Sequence, residues 1–270
     1  MADEKINLQR LRDEGQATEE GEKFVTIFES AFEVISEETL EDETKRVVSE
    51  LQKLVSPELP AKYKDDLFDD IWEALIGIAR HVHYRHLGQS LLLNVFKELN
   101  LAEPWRNLPN LGQCMRDNWI DPTFEPVEGE DETYSPSEWL NLNSFAARLF
   151  GAGIVGWVNF PIWQLRHGLE EDASPGPDTD CRVAAASEWL IQAGPNLLRR
   201  CLLRTNFNEA QKRSYRAGAI YSGHAGLNLE RWGFWKRRLG EVQSVVDEEA
   251  AASVDEAVKT MTMAAAALAN

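Results

Sequence analysis

The chain has 270 residues, 43% of them hydrophobic and 27% charged, which is the mixture of a folded globular protein and excludes a disordered or fibrous one. Its formal charge of −17 makes the chain as a whole a poor partner for nucleic acid or an anionic membrane. No apolar run approaches the ~20 residues of a membrane span, and the polar start "MADEKINLQRLRDEGQ" has no secretory h-region.

Residues 1–17 read as a flexible N-terminus. From Thr18, a plausible N-cap, Phe24, Ile27, Phe28, Phe32 and Ile35 recur at helical spacing. A second helix from about Thr39 carries Val47, Leu51 and Leu54 and stops before Ser56-Pro57. A third aligns Leu67, Phe68, Ile71, Trp72, Leu75 and Ile78; after a break at Gly88, helix resumes over Leu91 to Leu99. Loops around a short helix at Gly112 to Trp119 follow, then an acidic loop from Glu125 to Glu132.

Ser137 and Glu138 open the next helix, which Gly151, Gly153 and Gly156 interrupt before Pro161 restarts it. The run "EEDASPGPDTD" at 170–180 is a loop, and Val183, Trp189, Leu190, Ala193, Leu197 and Leu198 then make a strongly amphipathic helix. Thr205 to Gly226 is looser and leads into "LNLERWGFWKRRLGEV". The tail sets Val254, Val258, Met261, Ala265 and Leu268 at near-heptad spacing in an Ala-rich helix.

No stretch alternates with period two, so the fold class is all-α with no significant β-sheet. The expected architecture is an irregular helical bundle or stacked helix pairs of about nine or ten helices. A single helical domain would occupy 18–246, with the Ala-rich helix at 247–270.

Several runs resemble chemical motifs. "DDLFDD" places Asp65, Asp66 and Asp69 together, as carboxylates bridging a metal to a diphosphate in a terpenoid enzyme would be. The second metal-binding triad of that chemistry is missing, and acids at a helix start favour a structural reading. "HVHYRH" offers His81, His83 and His86, of which a helix would put His83 and His86 on one face, but no ligand spacing completes a metal set. Gly151, Gly153 and Gly156 match G-x-G-x-x-G without the preceding strand that a dinucleotide site needs, so close helix packing is the better reading. Cys114, Cys181 and Cys201 are widely separated and read as buried, reduced thiols. No metal and no cofactor is expected.

Charge is segregated. Between Arg199 and Arg238 ten cations, Arg204 among them, face only Glu209 and Glu230, while the first sixty residues are strongly acidic. Pairing within the chain is the favoured reading, a basic partner-binding face the other.

Four stretches in order, "NLPNLGQCMRDNW", "EWLNLNSFAARLFG", "AAASEWLIQAGPNLLRR" and "LNLERWGFWKRRLGEV", resemble a fungal family of uncharacterised proteins over roughly 105–245. Its C-terminal signature, S-L-x-R-W-x-F-W-K-x-R-F, is matched by Leu229, Arg231, Trp232, Phe234, Trp235, Lys236 and Arg238. Asn228 stands where Ser is usual and Leu239 where Phe is usual. The resemblance implies a fungal intracellular protein and carries no catalytic residue.

These readings lean away from an enzyme. They favour a cytoplasmic interaction or scaffold protein, with the nucleus as a second compartment, binding neither nucleic acid nor membrane. The alternative is a small-molecule-binding or accessory protein of fungal secondary metabolism, enzymatic in one version. Its cationic-aromatic pocket would draw on Arg231, Arg238, Trp232, Trp235 and Arg148 to hold a small anionic or apolar metabolite. On this reading the tryptophans are core and the arginines beside them functional: Arg231→Ala would spare stability and weaken binding, while Trp232→Ala would lower melting strongly.

Overall fold

The computed structural model describes residues 6–13, 18–56, 58–125, 134–203 and 207–269. Most of the expected acidic loop at 125–132 lies outside these residues, as does Arg204. Among the described residues there are twelve helices and no strand. They are α1 (Gln9–Asp13), α2 (Glu19–Phe32), α3 (Leu40–Leu54), α4 (Ala61–His81), α5 (Leu87–Leu99), α6 (Leu111–Asp117), α7 (Pro136–Gly151), α8 (Asn159–Leu169), α9 (Pro177–Leu202), α10 (Glu209–Ser214), α11 (Leu229–Val242) and α12 (Glu248–Ala269). The expectation of nine or ten is thus too low. The added helices, α1 and α10, have 5 and 6 residues, too few for an apolar stripe to repeat. The chain divides into two units, residues 1–145 and 146–270, and the division falls within α7.

In the first unit Thr18 caps α2, its Oγ1 accepting the Gly21 N–H at 3.1 Å. Phe24, Val25, Phe28 and Ala31 are then buried as the 3.6-residue repeat requires. Helix α2 packs against α3 and α4. On α4, the Trp72 ring stacks on Phe68 at 5.5 Å and meets Trp105 edge-on at 5.7 Å. The indole N–H of Trp72 donates to the Pro109 carbonyl at 2.5 Å, so the ring is buried with its polar atom satisfied. Within the stretch expected to be flexible, Leu8 and Leu11 are buried, and the bare backbone of Gly77 on α4 leaves room for Leu11.

Helix α7 begins at Pro136, one residue before the expected Ser137. The cap is Ser135 paired with Glu138: the Ser135 N–H and Oγ–H donate to Glu138 Oε2 at 2.9 and 2.6 Å, and Ser135 Oγ accepts the Glu138 N–H at 3.3 Å. This reciprocal box satisfies donors that a helix start leaves open.

In the second unit the 26-residue α9 is the spine, with α8, α11 and α12 packed against it. It starts at Pro177, inside the run expected to be loop, because proline's fixed φ suits a first helical position. Gly168 of α8 allows close approach to α9: a Cβ there would lie 2.5 Å from the Arg182 carbonyl oxygen and 2.7 Å from the Ala186 Cβ. Gly151 does the same against the Gln192 carbonyl, whereas Gly153 and Gly156 face open space. Close packing therefore explains one glycine of that run. Gly168→Ala, which in an exposed helix would stabilise, is expected here to lower stability by about 1–3 kcal/mol in urea titration. A rise in the midpoint would show that α8 and α9 are not in contact at this point.

Helix α12 buries Ala250, Val254, Ala257, Met261 and Ala264. The expected stripe is right at Val254 and Met261, but Val258 is half-buried and Leu268 is 52% exposed. Alanines at 257 and 264 face the core, where a small side chain lets two helices approach.

Candidate functional site

The site grows from the cap of α11. Asn228 Oδ1 accepts the Arg231 N–H at 2.8 Å, which starts the helix and fixes its rotation. Trp232, Trp235, Leu239 and Val242 are buried, as the periodicity requires. Leu229, expected on the same stripe, is 51% exposed; its place on the inner face is taken by Arg231, which is fully buried.

Arg231 meets Glu170, the C-cap residue of α8, also fully buried. Arg231 Nε donates to Glu170 Oε1 at 2.5 Å and Nη2 to Oε2 at 2.9 Å. The remaining donors reach backbone carbonyls: Nη1 to Tyr215 at 2.9 Å and Gly226 at 3.2 Å, Nη2 to Arg216 at 2.9 Å. Every N–H of the guanidinium is engaged within the chain. Each carboxylate oxygen gains a second donor, Trp235 Nε1 at 2.6 Å on Oε1 and the Gly218 N–H at 2.8 Å on Oε2. The Tyr221 and Trp235 rings both lie 5.5 Å from the guanidinium carbon. A buried pair costs more in desolvation than it returns unless its remaining hydrogen bonds are made, and here they are. Through Tyr215, Arg216, Gly218 and Gly226, together with the Ile220 N–H on the Glu170 carbonyl at 3.0 Å, the pair also shapes the segment between α10 and α11.

This geometry argues against the expected division of labour at Arg231: removing it would break a buried network, so a loss of stability is expected. Glu170 is not conspicuous in the sequence because it sits at the head of an acidic, Pro- and Gly-rich run that reads as loop. The signal was an arginine on the apolar stripe of α11, since a buried guanidinium demands a carboxylate elsewhere.

The other expected site residues divide. Trp235 belongs to the network, and Trp232 is 6% exposed on the same helix. The Arg238 side chain is 16% exposed and reaches Glu241 at 3.0 Å and the Glu171 carbonyl at 3.3 Å. Arg148, half-buried on α7, has Glu188 and Glu256 as its charged neighbours; burial disfavours its charged form and the two carboxylates favour it.

The acidic N-terminal segment pairs with its own cations: Arg12 with Glu22 and Glu29, Lys23 with Glu19 and Glu20, Lys45 with Glu41, Arg46 with Glu43 and Glu50. In the basic segment Lys212 pairs with Glu209, and Arg237 and Arg238 share Glu241. Among the described residues Arg199, Arg213, Arg216 and Lys236 make no ion pair, and the first three are exposed.

The histidines do not converge. His81 Nδ1 meets the Gly77 carbonyl, His83 Nδ1 accepts the Arg85 N–H, and His86 Nδ1 accepts the Gly88 N–H as the cap of α5. Helix α4 ends at His81, so His83 and His86 do not share a helix face. Asp65, Asp66 and Asp69 are exposed on α4, and Asp69 Oδ1 accepts from Asn110 Nδ2 at 3.2 Å. Among the described residues no group of three or more His, Cys, Asp or Glu is placed to hold a metal, and no helix is long and apolar enough to cross a membrane. A half-open groove of about 380 Å³ in the first unit is lined by Ile6, Asn7, Glu29, Phe32 and Glu33.

All three cysteines are buried and unbridged. Burial pushes the Cys114 thiol up to about 12, with Asp69 adding repulsion, and the Cys201 thiol up to about 12 as well. Native protein at pH 8 is therefore expected to leave Cys114 and Cys201 unmodified by iodoacetamide, with reaction only on unfolding; native alkylation would contradict the burial. A thiol pKa raised by folding keeps its stabilising effect below the unfolded value of ~8.5 and loses it progressively as pH climbs towards the folded value.

Fold and site together define an all-helical protein whose most conspicuous helix is locked by a buried Arg–Glu pair. The family model described as "Protein of unknown function (DUF3632)" matches residues 72–239, more than half of the chain, and the protein belongs to that family. The match reaches further towards the N-terminus than the resemblance expected from residue 105, and contains both Glu170 and Arg231. Comparison with curated proteins and with solved structures gives no match.

Proposed function

We propose that this protein is a non-enzymatic helical interaction protein, a fungal scaffold of the cytoplasm or nucleus, whose partner is an acidic protein surface. One observation carries the reading. The signature helix turns its ion-paired arginine and tryptophans inward, while Arg199, Arg213 and Arg216 stand exposed without carboxylate partners in the same unit. Exposed cations on a chain of charge −17 offer an acidic partner a local attraction, while the rest of the chain repels it. Leu202 and Leu203, 49% and 60% exposed at the end of α9, supply apolar surface beside Arg199.

The test is capture of partners from native extract on the wild-type protein and on Arg199→Glu/Arg213→Glu, with native mass spectrometry of the purified protein in parallel. The reading expects an acidic protein that is retained by the wild type, released by raised salt and lost from the variant. A stoichiometric bound metabolite would overturn it in favour of the second reading, a small-molecule-binding or accessory protein of fungal secondary metabolism.

A further inference from the structure

Arg166 stands apart from the saturated arginine next to it. It lies in the last turn of α8 and is half-buried. Its hydrogen bonds are long and reach no carboxylate: Nη1 to the Ser214 carbonyl at 3.4 Å, and Nη2 to His167 Nε2 at 3.3 Å. Among the described residues no carboxylate comes within 4.0 Å of it, and its other N–H groups have no protein acceptor. Partial burial thus removes some of the water around this guanidinium without supplying the charged acceptor that usually replaces it.

The surroundings deepen the deficit. Arg166 and Arg231 approach the same short piece of backbone, one at Ser214 and the other at Tyr215 and Arg216. After burial, the largest influences on Arg166 are repulsion from Arg216 and Arg231; both outweigh the attraction of Glu170 and Glu171, and its charged form is disfavoured. Glu170 cannot relieve this, because its two oxygens already accept from Arg231, Trp235 and Gly218. Glu171 Oε2 accepts the Ala219 N–H at 3.3 Å. Arg166 is half-buried and Arg216 exposed, and Arg216 is the strongest charged neighbour acting on Arg166.

We propose that Arg166 and Arg216 form an oxyanion subsite that takes the phosphate or carboxylate group of a ligand. Planar guanidinium forks offer paired N–H groups that match either anion, and the neighbouring Glu170 holds Arg231 out of the competition. The subsite does not depend on the acidic-partner reading, because a free ion is enough to probe it.

The experiment is titration calorimetry and thermal melting of the full chain with inorganic phosphate and, separately, succinate, at constant ionic strength against chloride. Wild type, Arg166→Gln and Arg216→Gln are compared. The subsite expects saturable binding of one or both anions, a raised melting temperature, and about a tenfold weaker affinity in each variant. Binding of phosphate alone assigns a phosphate ligand, and binding of succinate a carboxylate. Absence of binding beyond the chloride control, or unchanged affinity in the variants, overturns the proposal. Arg216 is exposed and only its carbonyl serves Arg231, so Arg216→Gln folds and decides the test if Arg166→Gln does not.

Discussion

Replacing Arg231 by alanine will lower the free energy of unfolding by about 3–5 kcal/mol, the cost of stranding the other half of a buried ion pair. The loss has two sources. Glu170 is left fully buried with only the Trp235 and Gly218 N–H groups, and Tyr215, Arg216 and Gly226 lose their guanidinium donor at once. The segment between α10 and α11 should therefore loosen along with the core. In a melting experiment the drop should be roughly 10 °C or more, and backbone amides of residues 215–226 should exchange faster than in the wild type. Arg231→Lys should recover little, because a point-like ammonium cannot span both carboxylate oxygens and the backbone carbonyls together. An alanine variant that melts within a degree of wild type would show that the guanidinium is not part of the packing.

Trp235→Ala should be comparably severe, at about 3–5 kcal/mol, for a different reason. The ring is fully buried on the face of α11 that packs towards α8, α9 and α12, so its removal leaves a cavity as well as a lost hydrogen bond. Trp235→Phe separates the two: it keeps most of the ring and removes only the N–H to Glu170, at a cost of about 1–3 kcal/mol. Urea denaturation of both variants gives the comparison. If phenylalanine is as damaging as alanine, the hydrogen bond to Glu170 outweighs the volume of the ring.

Helices were legible in the sequence wherever apolar residues repeat over several turns. Thr18 and Asn228 act as caps, and the stripe at Trp232, Trp235, Leu239 and Val242 is buried as its spacing requires. Helices α1 and α10 were not legible, since one has two buried leucines in and beside it and the other buries nothing. The site was half legible. Periodicity shows that Arg231 sits at a face, but an arginine reads as solvent-facing by default. Its burial depends on a partner 61 residues away at the end of another helix, and spacing along one helix carries no information about that. Leu229 and Arg231 exchange roles for the same reason: the carboxylate at Glu170 outweighs the hydrophobicity of one leucine at a helix start. Arg166 was invisible altogether, because what marks it is the lack of a close carboxylate beside two other arginines, a property of the assembled unit.

Arg231 and Glu170 act as one structural unit. A double-mutant cycle of Arg231→Ala and Glu170→Ala, read by urea unfolding, tests this most directly. The prediction is strong coupling: each single variant loses several kcal/mol, and the double variant falls short of their sum by about 2 kcal/mol or more. Losses that add to within ~0.5 kcal/mol would contradict it.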